Sequence, residues 1–165
     1  MYKGIIFDLD QTLVDSKIAE QFRRERNWSK VYSLIPSFIL YDGLNDVFKY
    51  IRSNGIKVCI VTTSPGTYVN KVISHFNIPC DAVVDYFSVK PIKPHPNQMY
   101  KALELLDLKN QEVLSFGDRG ADIISSNSAS IKSVGCTWGS QEIENLKSSK
   151  PDYIISEPKF ILNLI

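Results

Sequence analysis

Apolar positions along the chain follow two rhythms. Short apolar runs recur at 4–8, 57–62, 82–85, 112–116, 132–136 and 152–156, each about the length of a buried strand. Between them the apolar residues spread to helical spacing. Leu44, Val47, Phe48 and Ile51 stand at i, i+3, i+4 and i+7, with Asp42 as a candidate N-cap and Gly55 as a C-terminal stop. Val69, Val72, Ile73 and Phe76 repeat the pattern, with Ser64 as cap and Pro65 at the first helical position. Pro96 plays the same part for a helix carrying Met99, Leu103 and Leu106. Ile18 and Phe22, then Trp28, Val31, Tyr32 and Ile35, predict two short helices that end at Pro36. Strands alternating with helices predict an α/β fold: a doubly wound, Rossmann-like three-layer sandwich around a mostly parallel sheet. A small helical insertion follows its first strand.

Composition narrows the class without changing it. A chain of 165 residues fits one core, so a single domain over 1–165 is expected, with 15–41 as a cap-like insertion. Hydrophobic content of 44% and charged content of 22% match a globular chain rather than a disordered one. No apolar run approaches the roughly 20 residues of a membrane span, and the N-terminus lacks the pattern of a secretory leader. Cys59, Cys80 and Cys136 are odd in number, widely spaced and without a CxxC pair, so they read as reduced thiols. A cytoplasmic protein is expected. A net charge of +1 argues against nucleic-acid binding by the whole surface. No segment resembles a dedicated dimer interface, and a monomer is expected.

The chemistry gathers where the apolar runs end. Asp8 and Asp10 close the first run two residues apart, so in an extended strand their side chains leave the same face. Two like charges that close call for a cation, and Mg²⁺ prefers carboxylate oxygens. The second run ends in Thr62-Thr63-Ser64-Pro65, and Lys93-Pro94-His95-Pro96 opens the helix that carries Met99. The fourth run ends in Gly117-Asp118-Arg119-Gly120-Ala121-Asp122. Open α/β sheets bind ligands at this edge. A carboxylate attacking a phosphate ester is repelled by its charges, at roughly 4 kcal/mol per pair for ~4 Å and an effective dielectric of ~20. A metal ion, a lysine and a hydroxyl offset that repulsion, and a second acid protonates the leaving oxygen.

In this order the motifs resemble those of the haloacid dehalogenase superfamily of phosphohydrolases. They match as DxDxT at Asp8, Asp10 and Thr12, a strand-end Thr62, a Lys-Pro at Lys93, and GDxxxD at Asp118 and Asp122. The stretch Ile131–Gly139 resembles phosphoglycolate-phosphatase-like members. The resemblance implies that Asp8 is the nucleophile, forming an aspartyl-phosphate, and that Asp10 is the general acid and then the base. Thr62 would bind a phosphoryl oxygen and Lys93 would neutralise charge. Thr12 and Thr63 join the substrate-binding set, and the shift between Thr62 and Thr63 stays open. Asp8, Asp118 and the Asp10 carbonyl would ligate Mg²⁺. Asp122, on one helix face with Asp118 if a helix starts there, would support the metal's water shell or orient Lys93. Lys90 is the rival of Lys93. Gln11 stands where glycine is frequent in the family, and Arg119 where a small hydroxyl residue is usual.

Cap insertions largely set substrate choice in this superfamily, and here neither insertion point has room for a full helical cap. An open site suits a phosphorylated substrate, including a large one. Residues 17–30 hold Lys17, Arg23, Arg24, Arg26 and Lys30 against Glu20 and Glu25. Arg23 and Arg24 would steer an anionic substrate toward Asp8; a solvated basic face is the rival reading. The expected function is Mg²⁺-dependent hydrolysis of a phosphate monoester. A nucleotide or nucleic-acid-end phosphatase that uses the basic insertion is the alternative. A non-catalytic partner-binding domain is the further one.

Overall fold

The computed structural model describes residues 2–165. Six parallel strands form the main sheet: β1 (Gly4–Phe7), β4 (Lys57–Val61), β5 (Ala82–Val84), β6 (Val113–Gly117), β7 (Lys132–Cys136) and β8 (Tyr153–Ile155). Their order across the sheet is β5-β4-β1-β6-β7-β8. All six coincide with the apolar runs. The central strands are buried on both faces, which is why they read as continuous apolar stretches.

Alternation divides each strand between two cores. Ile5, Phe7, Val58 and Ile60 face one layer with α3 (Leu44–Ser53) and α4 (Gly66–Phe76). Ile6, Cys59 and Val61 face the other, packed by Met99, Ala102 and Leu106 of α5 (Asn97–Leu106). Helices α6 (Gly120–Ser128) and α7 (Ile143–Ser148) complete the connections. This is the expected doubly wound arrangement. Cys59 and Cys136 are buried, and all three cysteines are free. No helix among the described residues is long and apolar enough to cross a membrane.

Between β1 and β4 lies the insertion. A two-stranded antiparallel ribbon, β2 (Val14–Asp15) and β3 (Ile39–Leu40), forms its base, which the apolar pattern did not predict. Above it stand α1 (Glu20–Arg24) and α2 (Trp28–Leu34), the two expected short helices.

Four helix starts differ from the sequence reading. Gly43, not Asp42, is the N-cap of α3, at φ +89°, a backbone conformation suited to glycine. Pro65 is the N-cap of α4, so the helix begins at Gly66, whose N–H donates to Asp85 Oδ2 at 2.8 Å. The capping acceptor thus comes from the loop after β5, and the Ser64 hydroxyl turns instead to Asp10. Pro96 likewise caps α5 rather than occupying its first turn. Helix α6 starts at Gly120, so Asp118 lies in the preceding loop and shares no helix face with Asp122.

Candidate active site

Parallel register brings the motif residues to one edge. Phe7 is level with Ile60 on one side and Phe116 on the other, so Asp8, Thr62 and Asp118 all leave the C-terminal ends of adjacent strands. Asp122 sits in the first turn of α6. The Gly117 hydrogen makes room for it: a Cβ there would lie 2.3 Å from the Asp122 Cβ.

Lys93 is the hub. Its side chain is 3% exposed, and Nζ donates to Asp8 Oδ1 at 2.8 Å, Asp122 Oδ1 at 2.6 Å and the Val61 carbonyl at 2.9 Å. Its three donors are fully used. Burial alone would lower the Lys93 pKa; Asp122 and Asp8 more than offset it, raising the pKa and holding the ammonium charged. The rival Lys90 points elsewhere, with Nζ 3.2 Å from the centre of the Tyr86 ring.

Oxygens of Asp8, Asp118 and Asp122 lie within 4.8 Å of one another. Burial is the main cause that pushes Asp8 up to about 7 and Asp118 up to about 9; neighbouring carboxylates add to it, and Lys93 opposes it. Three close acids with one lysine leave surplus negative charge, and a hard divalent cation fits an all-oxygen donor set of this kind. Asp122 already accepts from Lys93 and, through Oδ2, from the Arg119 N–H at 3.0 Å. Its bonding fits the role of orienting Lys93.

Asp10 belongs to a different cluster. Its carboxylate accepts hydrogen bonds from Ser16 Oγ at 2.5 Å, Tyr68 OH at 2.5 Å and Ser64 Oγ at 3.2 Å. Arg23 Nη1 lies 3.2 Å from Oδ1, with both side chains largely buried. The same nitrogen donates to Ser16 Oγ at 2.9 Å and to the Ser16 carbonyl at 3.1 Å. Arg23 therefore pairs with Asp10 and at the same time lines the cavity beside it.

Other expected substrate contacts divide. Thr12 is fully buried and its hydroxyl donates to Asp118 Oδ1 at 2.8 Å, so it fixes a carboxylate instead of meeting substrate. Thr62 is buried, and its Oγ1 accepts from the Ser64 N–H at 3.1 Å; Thr63 lines the cavity. Arg24 lines the cavity while paired with Glu20. Arg119 lies 3.8 Å from Glu142 and is mostly exposed. Gln11 takes the left-handed conformation at φ +67°, held by Tyr41 OH at 3.1 Å on its Oε1. A Cβ at Gly139 would strike the Gln11 carbonyl at 1.9 Å, so that loop needs glycine to close on the turn after β1.

Two supporting residues carried no sequence signal. Tyr68 reads as an ordinary core position of α4. Gln98 is fully buried, accepts from the Lys93 N–H at 3.0 Å and donates to the Thr62 and Asp85 carbonyls, both at 3.0 Å. It ties the lysine loop to the ends of β4 and β5.

A parallel α/β sheet that delivers two acid clusters and a buried lysine to its C-terminal edge belongs to the Rossmann-like class. Residues 20–136 match the haloacid dehalogenase-like hydrolase family, and the chain belongs to it. It is 32% identical over 131 residues to a pyrophosphatase PpaX of Bacillus mycoides, a match that covers 76% of this chain and 59% of that protein. The chain thus spans less than two thirds of that relative's length. A PpaX of Bacillus cereus strain Q1 is 30% identical over 209 aligned positions, covering 98% of this chain and 95% of that protein. Since this chain has 165 residues, that relative carries internal residues with no counterpart here. Among solved structures, a predicted phosphoglycolate phosphatase from Haemophilus somnus 129PT superposes with a TM-score of 0.85 at 23% identity, over 99% of this chain and 97% of that one.

Proposed function

We propose that this chain is a Mg²⁺-dependent phosphatase that hydrolyses a phosphate monoester through an aspartyl-phosphate on Asp8. The carrying observation is the Lys93 bridge between Asp8 and Asp122, with Asp118 in the same cluster. Bacillus relatives named pyrophosphatase support cleavage of a phosphorus–oxygen bond as the reaction type.

Asp8 and Asp118, with the Asp10 carbonyl, would hold Mg²⁺, which supplies charge neutralisation at the nucleophile and phosphoryl group when bound. Lys93 fixes Oδ1 of Asp8, while Oδ2 accepts no hydrogen bond among the described residues. Oδ2 attacks phosphorus as the ester P–O bond breaks. Asp10, protonated on entering this step, passes that proton to the leaving oxygen and is left as the carboxylate. Water then attacks phosphorus, Asp10 takes its proton, the Asp8–phosphorus bond breaks and phosphate departs. Ser16, Tyr68, Ser64 and Arg23 position Asp10 for both transfers. The Thr62 hydroxyl proton is free to donate to a phosphoryl oxygen, because its oxygen is used as an acceptor.

Phosphate release from a panel of sugar phosphates, nucleotides and pyrophosphate tests this reading, with Mg²⁺ or with chelator and with Asp8→Asn as the blank. Metal-dependent release above the blank is expected. Equal release by Asp8→Asn would refute it.

A further inference from the structure

The cavity over the site is larger and more apolar than a small phosphate requires. It encloses about 840 Å³, within the range of sites that hold drug-sized ligands. Its floor carries Asp10, Thr63 and Asp118.

The walls differ in character, and sheet order separates them. On the side of β4 and β5, Trp28, Pro65, Tyr86 and Phe87 form an apolar wall. Trp28 is anchored there by Tyr68 of α4, with ring centres 6.0 Å apart. Phe87 leans on Tyr86 at 5.0 Å and leaves 71% of its surface exposed at the cavity mouth. On the side of β6 and β7 the wall is polar: Gln141, Glu142, Arg119 and, from α1, Glu20, while Arg23, Arg24 and Arg26 of the insertion add positive charge to the lining. Gln141 Nε2 donates to Glu20 Oε2 at 3.3 Å, joining the insertion to the loop after β7.

An aromatic wall beside amide, carboxylate and guanidinium groups fits an anionic ligand that carries a planar ring with a hydrogen-bonding edge. Neither pyrophosphate nor a short organic acid phosphate has a face to lay on Trp28 or Phe87. We infer that the substrate is a nucleoside monophosphate, or a phosphomonoester of the same build, with its base between these walls. The inference rests on the phosphatase reading for its chemistry, but its binding claim stands apart from turnover.

The test has two arms. In the first, kcat/KM with Mg²⁺ is measured for adenosine, guanosine, cytidine and uridine 5′-monophosphates against ribose 5-phosphate and pyrophosphate. Base stacking on an aromatic side chain predicts a nucleotide preference of about 5- to 150-fold over ribose 5-phosphate, the equivalent of ~1–3 kcal/mol. Phe87→Ala is exposed enough to fold normally, and it lowers the nucleotide-to-ribose-5-phosphate ratio. In the second, calorimetry on Asp8→Asn with Mg²⁺ compares binding of the same ligands. Tighter nucleotide binding without turnover by the wild type would uphold the base-binding walls while overturning both the nucleotide as substrate and the phosphatase reading. Metal-dependent turnover with equal kcat/KM for ribose 5-phosphate, or with pyrophosphate ahead, would overturn the inference and leave the phosphatase standing. Equal binding of all ligands by Asp8→Asn overturns it as well.

Discussion

Asp118→Asn should stabilise the metal-free protein while removing its response to Mg²⁺. Oxygens of Asp118, Asp8 and Asp122 lie within 4.8 Å, where each like-charged pair costs roughly 3.5 kcal/mol at an effective dielectric of ~20. Asp118 faces two such neighbours and shares the attraction of one lysine. Proton uptake relieves part of the surplus, which leaves about 2–3 kcal/mol to be gained by removing the charge. Asparagine keeps Oδ1 as an acceptor for the Thr12 hydroxyl, so packing is retained. For a chain of this size ~1 kcal/mol moves the melting temperature by about 2–4 °C, so a rise of about 5–10 °C is expected. The effect depends on pH with a definite sign. Asp8 and Asp118 titrate higher when folded, mainly because burial disfavours their charge. Between the ordinary carboxylate range near pH 4 and the raised values of about 7 and about 9, the folded state therefore holds more protons than the unfolded state. Metal-free wild type loses stability as pH rises through that window, and the advantage of Asp118→Asn grows in parallel. Thermal melts from pH 5 to 9, with chelator and with MgCl₂, read both effects. The reasoning fails if the variant melts no higher than wild type at pH 8 without metal, or if Mg²⁺ raises both proteins equally.

Two further substitutions separate positioning from binding. Arg23→Gln should lower kcat about 100-fold with a much smaller change in KM, since misplacing a reacting group by ~1 Å costs that much; Arg23→Lys should recover part of it. A change confined to KM in steady-state assays would mean that Arg23 meets substrate. Gln98→Leu leaves the Lys93 N–H and the Thr62 and Asp85 carbonyls without their side-chain partner, at ~1–3 kcal/mol for each group left unpaired. A loss of at least ~3 kcal/mol in urea unfolding is expected, together with reduced activity.

The strands and helices were legible because each buries apolar residues at its own period. Ile5 and Phe7 against Ile6 already encode the two cores. Asp8, Lys93, Asp118 and Asp122 were legible because strand ends and motif order fix where they emerge. Asp10 was legible as an acid but not in its partners. Its hydroxyl and guanidinium donors come from positions 16, 23, 64 and 68, and only the packing of α1 and α4 brings them together. Arg23 stayed open between a steering charge and a solvated face because α1 is five residues long and only Phe22 of it packs on the core. One apolar residue gives too little periodicity to tell which arginine meets Asp10. Thr12 shows the same limit at shorter range: motif position located it, but one rotation decides between substrate and Asp118, and the buried carboxylate takes the hydroxyl. What sequence pattern cannot supply is therefore the direction of polar side chains at a site, since each is set by the nearest uncompensated charge rather than by the repeat of its own element. The cavity follows the same rule. Trp28 and Phe87 lie in segments far apart in the chain, and both come to its lining only through tertiary packing, Trp28 by resting on Tyr68 of α4.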